Sequence, residues 1–283
     1  MSTPPQQRRI LIVGPSARLA RTAAAAGFRV WSLSDARRCP PGEVAALSER
    51  FLRADFDDEG ALKDALAEAA DAGLHVNPPL AVRLLARPEA LRRFVRDNRL
   101  SPPAAEDAAG ERYRVDTLSV HGMHHTVGIT AETPYGLLHP APLAGDTAAT
   151  VRSVVTSLLD LAGYQYGPAH TVVLLTPHGP AIAGCEAVVA EEPVPALVRV
   201  AAGRDMVADA VRVLAGRDVG AVQARRFAAS VALPGDGRAG ALPLPCLHPV
   251  RESGGRRAGH AVLAADSPQQ AAERARDANR LLA

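Results

Sequence analysis

Lysine is nearly missing from this chain. Lys63 is the only one among 32 basic residues, and every other cation is arginine. Phosphate cradles commonly use lysine as a compact point charge, so a site that needs two lysines cannot be built here. Cysteine is scarce as well. Cys39, Cys185 and Cys246 are widely spaced, with no CxxC pair, and reduced structural thiols are the expected state. No apolar run approaches the length of a membrane span, and the Ala-rich stretches are broken by charge. The loop after the first apolar run is only Gly14-Pro15-Ser16, which lacks the GxGxxG pattern of dinucleotide sites. A net charge of +2, spread along the chain, excludes a basic stripe for nucleic acid.

What remains describes an ordinary globular protein. The 283 residues are 47% hydrophobic and 22% charged, enough for one large domain or two to three small ones. The apolar run at Ile10–Val13 is too short for a signal-peptide core, so a cytoplasmic protein is expected.

The first segment alternates strand and helix. Residues 9–13 and 28–33 read as buried strands, and 17–26 as an Ala-rich helix closed by Gly27. A helix is expected over 43–52, another with Leu62, Leu66 and Ala69 on one face, and a third from Asn77-Pro-Pro to Asn98. This order implies a parallel sheet with right-handed crossovers. Leu100-Ser-Pro-Pro103 reads as a hinge and 104–110 as a loop.

The second segment changes period. Residues 113–120 and 124–131 alternate as a hairpin across His121-Gly. Residues 148–162 are expected helical. Residues 170–175 and 181–185 pair across Thr176-Pro-His-Gly, and 195–214 is helical with an interruption at Gly203. The third segment reads as a strand at 223–233, loops at 235–237 and 242–249, and a strand at 259–264. Ser267-Pro268 then caps a last helix.

Four stretches resemble the ATP-grasp carboxylate–amine ligases, the class that includes L-amino-acid ligases. Arg87-Pro-Glu-Ala-Leu-Arg-Arg-Phe, with Asn98-Arg-Leu-Ser-Pro-Pro, is similar to D-K-x-x-x-R-x-x-L…G-x-P-x-P. Gly110-Glu-Arg-Tyr-Arg-Val-Asp116 is similar to G-x-E-Y-S-V-E. The hairpin at 167–186 resembles G-P-x-H-x-E, a turn, then G-P-x-I-I-E-x-N. Arg257-Ala-Gly-His-Ala-Val, followed by Ser-Pro-Gln-Gln-Ala, resembles the end of the family's last lobe. The resemblance implies an α/β fold: a Rossmann-like parallel-sheet domain over 1–103, a truncated ATP-grasp-like α+β palm over 110–215, and a small C-terminal lobe over 216–283.

The departures fall on the chemistry. Val172 and Gly184 occupy the positions of the two magnesium glutamates, and Glu186 that of the asparagine. Valine and glycine offer no hard oxygen ligand. The family's phosphate lysine falls on Glu89, the Glu before its Tyr on Arg112, and its Arg on Val188. Only six residues separate Pro103 from Gly110, where the family carries a lid lobe with its second ATP lysine. Losing these contacts removes on the order of 10 kcal/mol, more than the roughly 8 kcal/mol of a micromolar affinity. No Mg-ATP binding in the ancestral mode, no cofactor and no metal are therefore expected.

His170 shares strand parity with Val172, and Glu186 with Gly184, so His170 and Glu186 are expected on one cleft face. They are the candidate acid–base pair; a pocket remnant or a structural hydrogen bond would put the same residues there. Arg112 is the candidate carboxylate anchor. His139, in Leu138-His-Pro-Ala141, resembles the family's G-H-x-x-P-A loop near substrate, and a plain proline-stiffened loop reads the same way. Alternation sends Cys185 to the core. His121, His124, His125 and His178 lack acids or cysteines at ligand spacing and are expected on loops or rims.

Three functions follow from this resemblance. The first is a binding or accessory protein in small-molecule or peptide biosynthesis, taking an amino-acid-like or acyl ligand and assembling with an active ATP-grasp chain or with copies of itself. The second is an ATP-independent enzyme in the old cleft. The third is a ligase whose ATP site is completed by a partner chain.

Overall fold

The computed structural model describes residues 9–40, 42–102, 110–233, 250–251 and 259–282. The expected loops at 104–109, 235–237 and 242–249, with Pro103, Cys246 and Arg257, lie outside the described residues.

The first segment folds as the alternation implies. The strands are β1 (Arg9–Val13), β2 (Arg29–Asp35) and β3 (Ser48–Ala54), and the helices α1 (Ala17–Ala25), α2 (Gly42–Leu47) and α3 (Glu59–Asp71). The strands form a parallel sheet in the order β1-β2-β3. Side-chain caps start the helices. Ser16 accepts from the Leu19 N–H at 3.2 Å, and Asp58 from that of Ala61 at 3.1 Å. Each such cap stabilises its helix by about 1 kcal/mol.

The helix expected over 43–52 stops at Leu47. Residues Ser48–Ala54 instead pair with β2, Leu33 opposite Leu52 and Asp35 opposite Ala54. Pairing buries Leu52 and Ala54 while Arg50 and Arg53 stay exposed. This period-two burial overrides local helical preference. The helix expected from Asn77 to Asn98 is two, α4 (Pro79–Ala86) and α5 (Pro88–Asp97). Arg87, held extended before Pro88 at φ −127° and ψ 103°, breaks them. The break aims Arg87 at Asp35, with Nη1 2.6 Å from Oδ2.

The rest of the chain builds one antiparallel sheet. Its strands are β4 (Glu111–Val120), β5 (Met123–Thr133), β6 (Gly136–His139), β7 (Gly167–Thr176), β8 (Gly179–Glu186), β9 (Phe227–Leu233), β10 (Val250–Arg251) and β11 (Gly259–Ala265). Their order is β10-β11-β9-β6-β5-β4-β7-β8. The strand expected from Gln223 starts only at Phe227, because the Arg225 and Arg226 N–H groups bond the Ala201 carbonyl instead of a neighbouring strand. Strand β6 is an element that the loop reading of 138–141 did not contain.

The helices α6 (Gly145–Ala162), α7 (Val194–Ala202), α8 (Met206–Leu214) and α9 (Pro268–Leu282) cover this sheet. Val151, Val155, Leu158, Leu159 and Ala162 of α6 repeat at helical spacing and are buried against Val115, Ile129 and Val173. Each full burial of such a Val or Leu contributes about 1.5–3 kcal/mol. Gly203, at φ 68°, ends α7, and Asp205 caps α8. Ser267 accepts from the Gln270 N–H at 3.1 Å, as its capping role requires.

Contacts that join the sheets include Ile10 and Ile12 of the parallel sheet, which pack with α8 and with Leu118 and Val120 of β4. Asn77 ties the linker down: its Oδ1 accepts from the N–H groups of Gln165 (2.7 Å) and Tyr166 (2.9 Å), and its Nδ2 donates to the Tyr166 carbonyl (2.8 Å). An α/β architecture with a parallel N-terminal sheet followed by an antiparallel one is thus as the sequence implied. Among the described residues no helix is long and apolar enough to cross a membrane.

Candidate functional site

Helix α6 packs on one face of the large sheet, and α7 and α8 pack on part of the other, against Leu118 and Val120, which share strand parity with Asp116. One register row crosses that second face: Gly128 of β5 opposite Asp116 of β4, Asp116 opposite His170 of β7, and His170 opposite Glu186 of β8. His170 and Glu186 therefore share a face. The neighbouring row places Val172 opposite Gly184, so that pair contributes only a methyl surface and a gap. Nothing lies within 4 Å of where a Gly184 side chain would begin.

Asp116 is the group that sequence reasoning missed. Its Oδ1 sits 2.8 Å from His170 Nδ1. The residue is 2% exposed, and its Oδ2 is buried without a hydrogen-bond partner. An unpaired buried carboxylate oxygen is costly, about 1–3 kcal/mol, and Asp116 meets the face only through His170. The signal was present: Asp116 ends the quoted Tyr-Arg-Val-Asp motif. What joins it to His170 is a strand register across 54 residues.

The other candidates sit nearby in different roles. Arg112 is half exposed, and its Nε lies 3.6 Å from Glu132 Oε2. Arg114 holds the same carboxylate at 2.9 Å. Arg112 thus reaches the open face with its charge shared. His139 is no loop residue. It ends β6, is 1% exposed, and its Nδ1 lies 2.9 Å from Thr130 Oγ1. Its ring lies over Gly128, where an added Cβ would come 2.2 Å from Cε1. Burial pushes the His139 pKa down to about 4, against the nearby charge of Asp116, which pulls it up. A neutral imidazole results.

Cys185 faces the core, as alternation predicted. Burial pushes its thiol up to about 12, and Thr171 Oγ1 donates to its Sγ at 3.1 Å. It is no nucleophile at neutral pH. A second arrangement imitates a hydrolase. Ser119 Oγ lies 2.7 Å from His124 Nδ1, and His124 Nε2 lies 3.2 Å from Asp160 Oδ1. Ser119 is fully buried and Asp160 is 59% exposed. The hydroxyl is therefore hidden from substrate, and the set ties the β4–β5 hairpin to α6.

Val172 and Gly184 offer no metal ligand, and among the described residues no group of three His, Cys, Asp or Glu is arranged to hold a metal ion. Lys63 stands on α3 in an exposed pair with Glu59 at 2.6 Å, far along the chain from these strands. Glu89 lies in the first turn of α5.

No described protein family matches this sequence, and no curated protein does. Solved structures match its fold along the whole chain. An L-amino acid ligase from Bacillus licheniformis has a TM-score of 0.70 at 14% identity, covering 98% of each chain. An N5-carboxyaminoimidazole ribonucleotide synthetase from Thermotoga maritima gives the same values. Glycinamide-RNase-transformylase T from Mycobacterium tuberculosis has a TM-score of 0.70 at 18% identity, covering 98% of this chain and 100% of that one. At such identity the likeness extends to the fold alone.

Proposed function

We propose that this chain is a ligase-like protein that does not use Mg-ATP. It binds a small amino-acid-like or acyl ligand on the open face of the palm sheet and serves as a binding or accessory protein in small-molecule or peptide biosynthesis. The observation that carries this reading is the opposition of Val172 and Gly184 on β7 and β8. An ATP-dependent ligase needs oxygen ligands for its metal on this hairpin, and neither residue has one. The engagement of Lys63, the only lysine, by Glu59 supports the same conclusion. Asp116 supports a polar group on the ligand through His170, whose ring Nδ1 it holds at 2.8 Å.

Calorimetric titration tests the reading. Mg-ATP is expected to give no heat at micromolar concentrations, and a panel of amino acids and short peptides to yield one that binds and loses affinity in Asp116→Asn. Micromolar Mg-ATP affinity would overturn it.

A second reading is favoured by the 2.8 Å contact between Asp116 and His170. A carboxylate on Nδ1 orients the imidazole and leaves Nε2 to exchange protons, the arrangement of a general base. The chain would then act on an amino-acid-like or acyl substrate without ATP, with Glu186 opposite as a second acid–base group. Turnover lost in His170→Gln while ligand binding persists selects this reading over simple binding.

A further inference from the structure

At the C-terminal end of α7 the surface forms an open depression of about 210 Å³. Arg199, Arg225 and Arg226 line it, with Val200, Ala202 and Gly203. Arg199 stands in the last turn of α7, and Gly203 turns the chain away in the left-handed conformation. The Ala201 carbonyl then accepts from the N–H groups of both Arg225 (2.8 Å) and Arg226 (3.3 Å). One acceptor thus pins the incoming segment to the helix end and brings Arg225 and Arg226 to the wall that Arg199 also lines.

Among the described residues none of these three arginines is paired with a carboxylate, whereas Arg87, Arg114 and Arg204 all are. Three like charges around one concavity repel each other. The negative end of α7 carries only about half a charge, which offsets part of one guanidinium. The positive potential left inside the concave wall is focused there. Guanidinium forks match the oxygens of phosphate or carboxylate, two bonds at a time. Val200 and Ala202 add a short apolar wall.

We propose that this depression is a binding site for a small, multiply charged oxyanion, a phosphate- or polycarboxylate-bearing metabolite. The site shares no residue with the Asp116–His170 face, although Arg226 lies two residues before Ala228, the register partner of His139. A negative result here leaves the reading of that face standing.

The test is titration of the full chain with pyrophosphate and, separately, citrate, followed by calorimetry at low ionic strength and again at about 0.15 M salt. At least one of the two is expected to saturate a single site and to weaken at the higher salt. Pyrophosphate alone marks a phosphate-bearing ligand, and citrate alone a polycarboxylate. Arg225→Gln and Arg199→Gln are each expected to weaken binding about tenfold, and Arg225→Gln/Arg226→Gln to abolish it. All three side chains are exposed, so thermal midpoints should stay unchanged and show that the variants fold. The proposal is overturned if neither anion saturates, if the double variant binds as the parent does, or if only nucleic acid binds.

Discussion

Asp116 and His170 face each other across β4 and β7, with the carboxylate Oδ1 2.8 Å from the ring Nδ1. Both are largely shielded from solvent: the Asp116 side chain is 3% exposed and that of His170 14%. Asp116 cannot leave this place, because β4 is a central strand paired on both sides. The carboxylate is therefore fixed beneath this face, with one oxygen on His170 and the other buried without a partner.

This pairing predicts strong coupling. His170→Ala leaves Asp116 buried with no partner at either oxygen, and about 2 kcal/mol or more of stability should be lost. Replacing both residues by alanine should cost less than the sum of the single changes. A double-mutant cycle by urea unfolding is expected to give a coupling of about 1–3 kcal/mol. A coupling near zero would show that the contact carries no energy.

His139 predicts a pH dependence of stability. The unfolded imidazole takes up a proton below its ordinary value near 6.5, the folded one only near 4. Its contribution is thus complete above about pH 6.5 and is lost as pH falls towards 4. The span corresponds to about 3 kcal/mol. Unfolding free energies at several pH values between these limits should fall less steeply for His139→Gln, which still offers Thr130 a hydrogen-bonding partner. Equal slopes in both proteins would sink the prediction.

The sequence made much of this fold legible because local signals and tertiary needs agree there. Alternation marked β4, β7 and β8, Gly203 marked the α7–α8 break, and Ser267 marked the start of α9. Parity alone placed His170 and Glu186 on one face. The misses arise where partners distant in sequence decide. Residues 48–54 become a strand only because β2 lies alongside. His139 enters the core only because β6 fits between β5 and β9. Asp116 gains its meaning from a register that no local pattern encodes, and the depression of Arg199, Arg225 and Arg226 from a carbonyl that serves two N–H groups.

Gly128 predicts a steric failure. Its missing side chain makes room for the His139 ring, and a Cβ would sit 2.2 Å from Cε1 and 3.0 Å from Nε2. The ring is buried and bonded to Thr130, so it has nowhere to move. Gly128→Ala is expected to lose about 1–3 kcal/mol, the usual cost of overpacking. Adding His139→Ala should recover part of that loss. Thermal or urea unfolding of the single and double variants decides it.

The hairpin offers the sharpest prediction. Val172 and Gly184 are register partners on β7 and β8, and space is open around Gly184. Glutamates there would place two carboxylates side by side on the open face, at about 4.5–5.5 Å between Cβ atoms. Such a pair repels itself and welcomes a hard divalent cation. Val172→Glu/Gly184→Glu is therefore expected to fold, to lose some stability without metal, and to regain it with Mg²⁺ or Mn²⁺. Binding at about 1 mM or tighter should appear by calorimetry, while the parent chain shows none. The gain should track the cation, with a thermal midpoint that rises with its concentration. If the double variant folds and still ignores divalent cations, the face lacks more than two carboxylates, and replacing the hairpin ligands alone cannot restore a metal site.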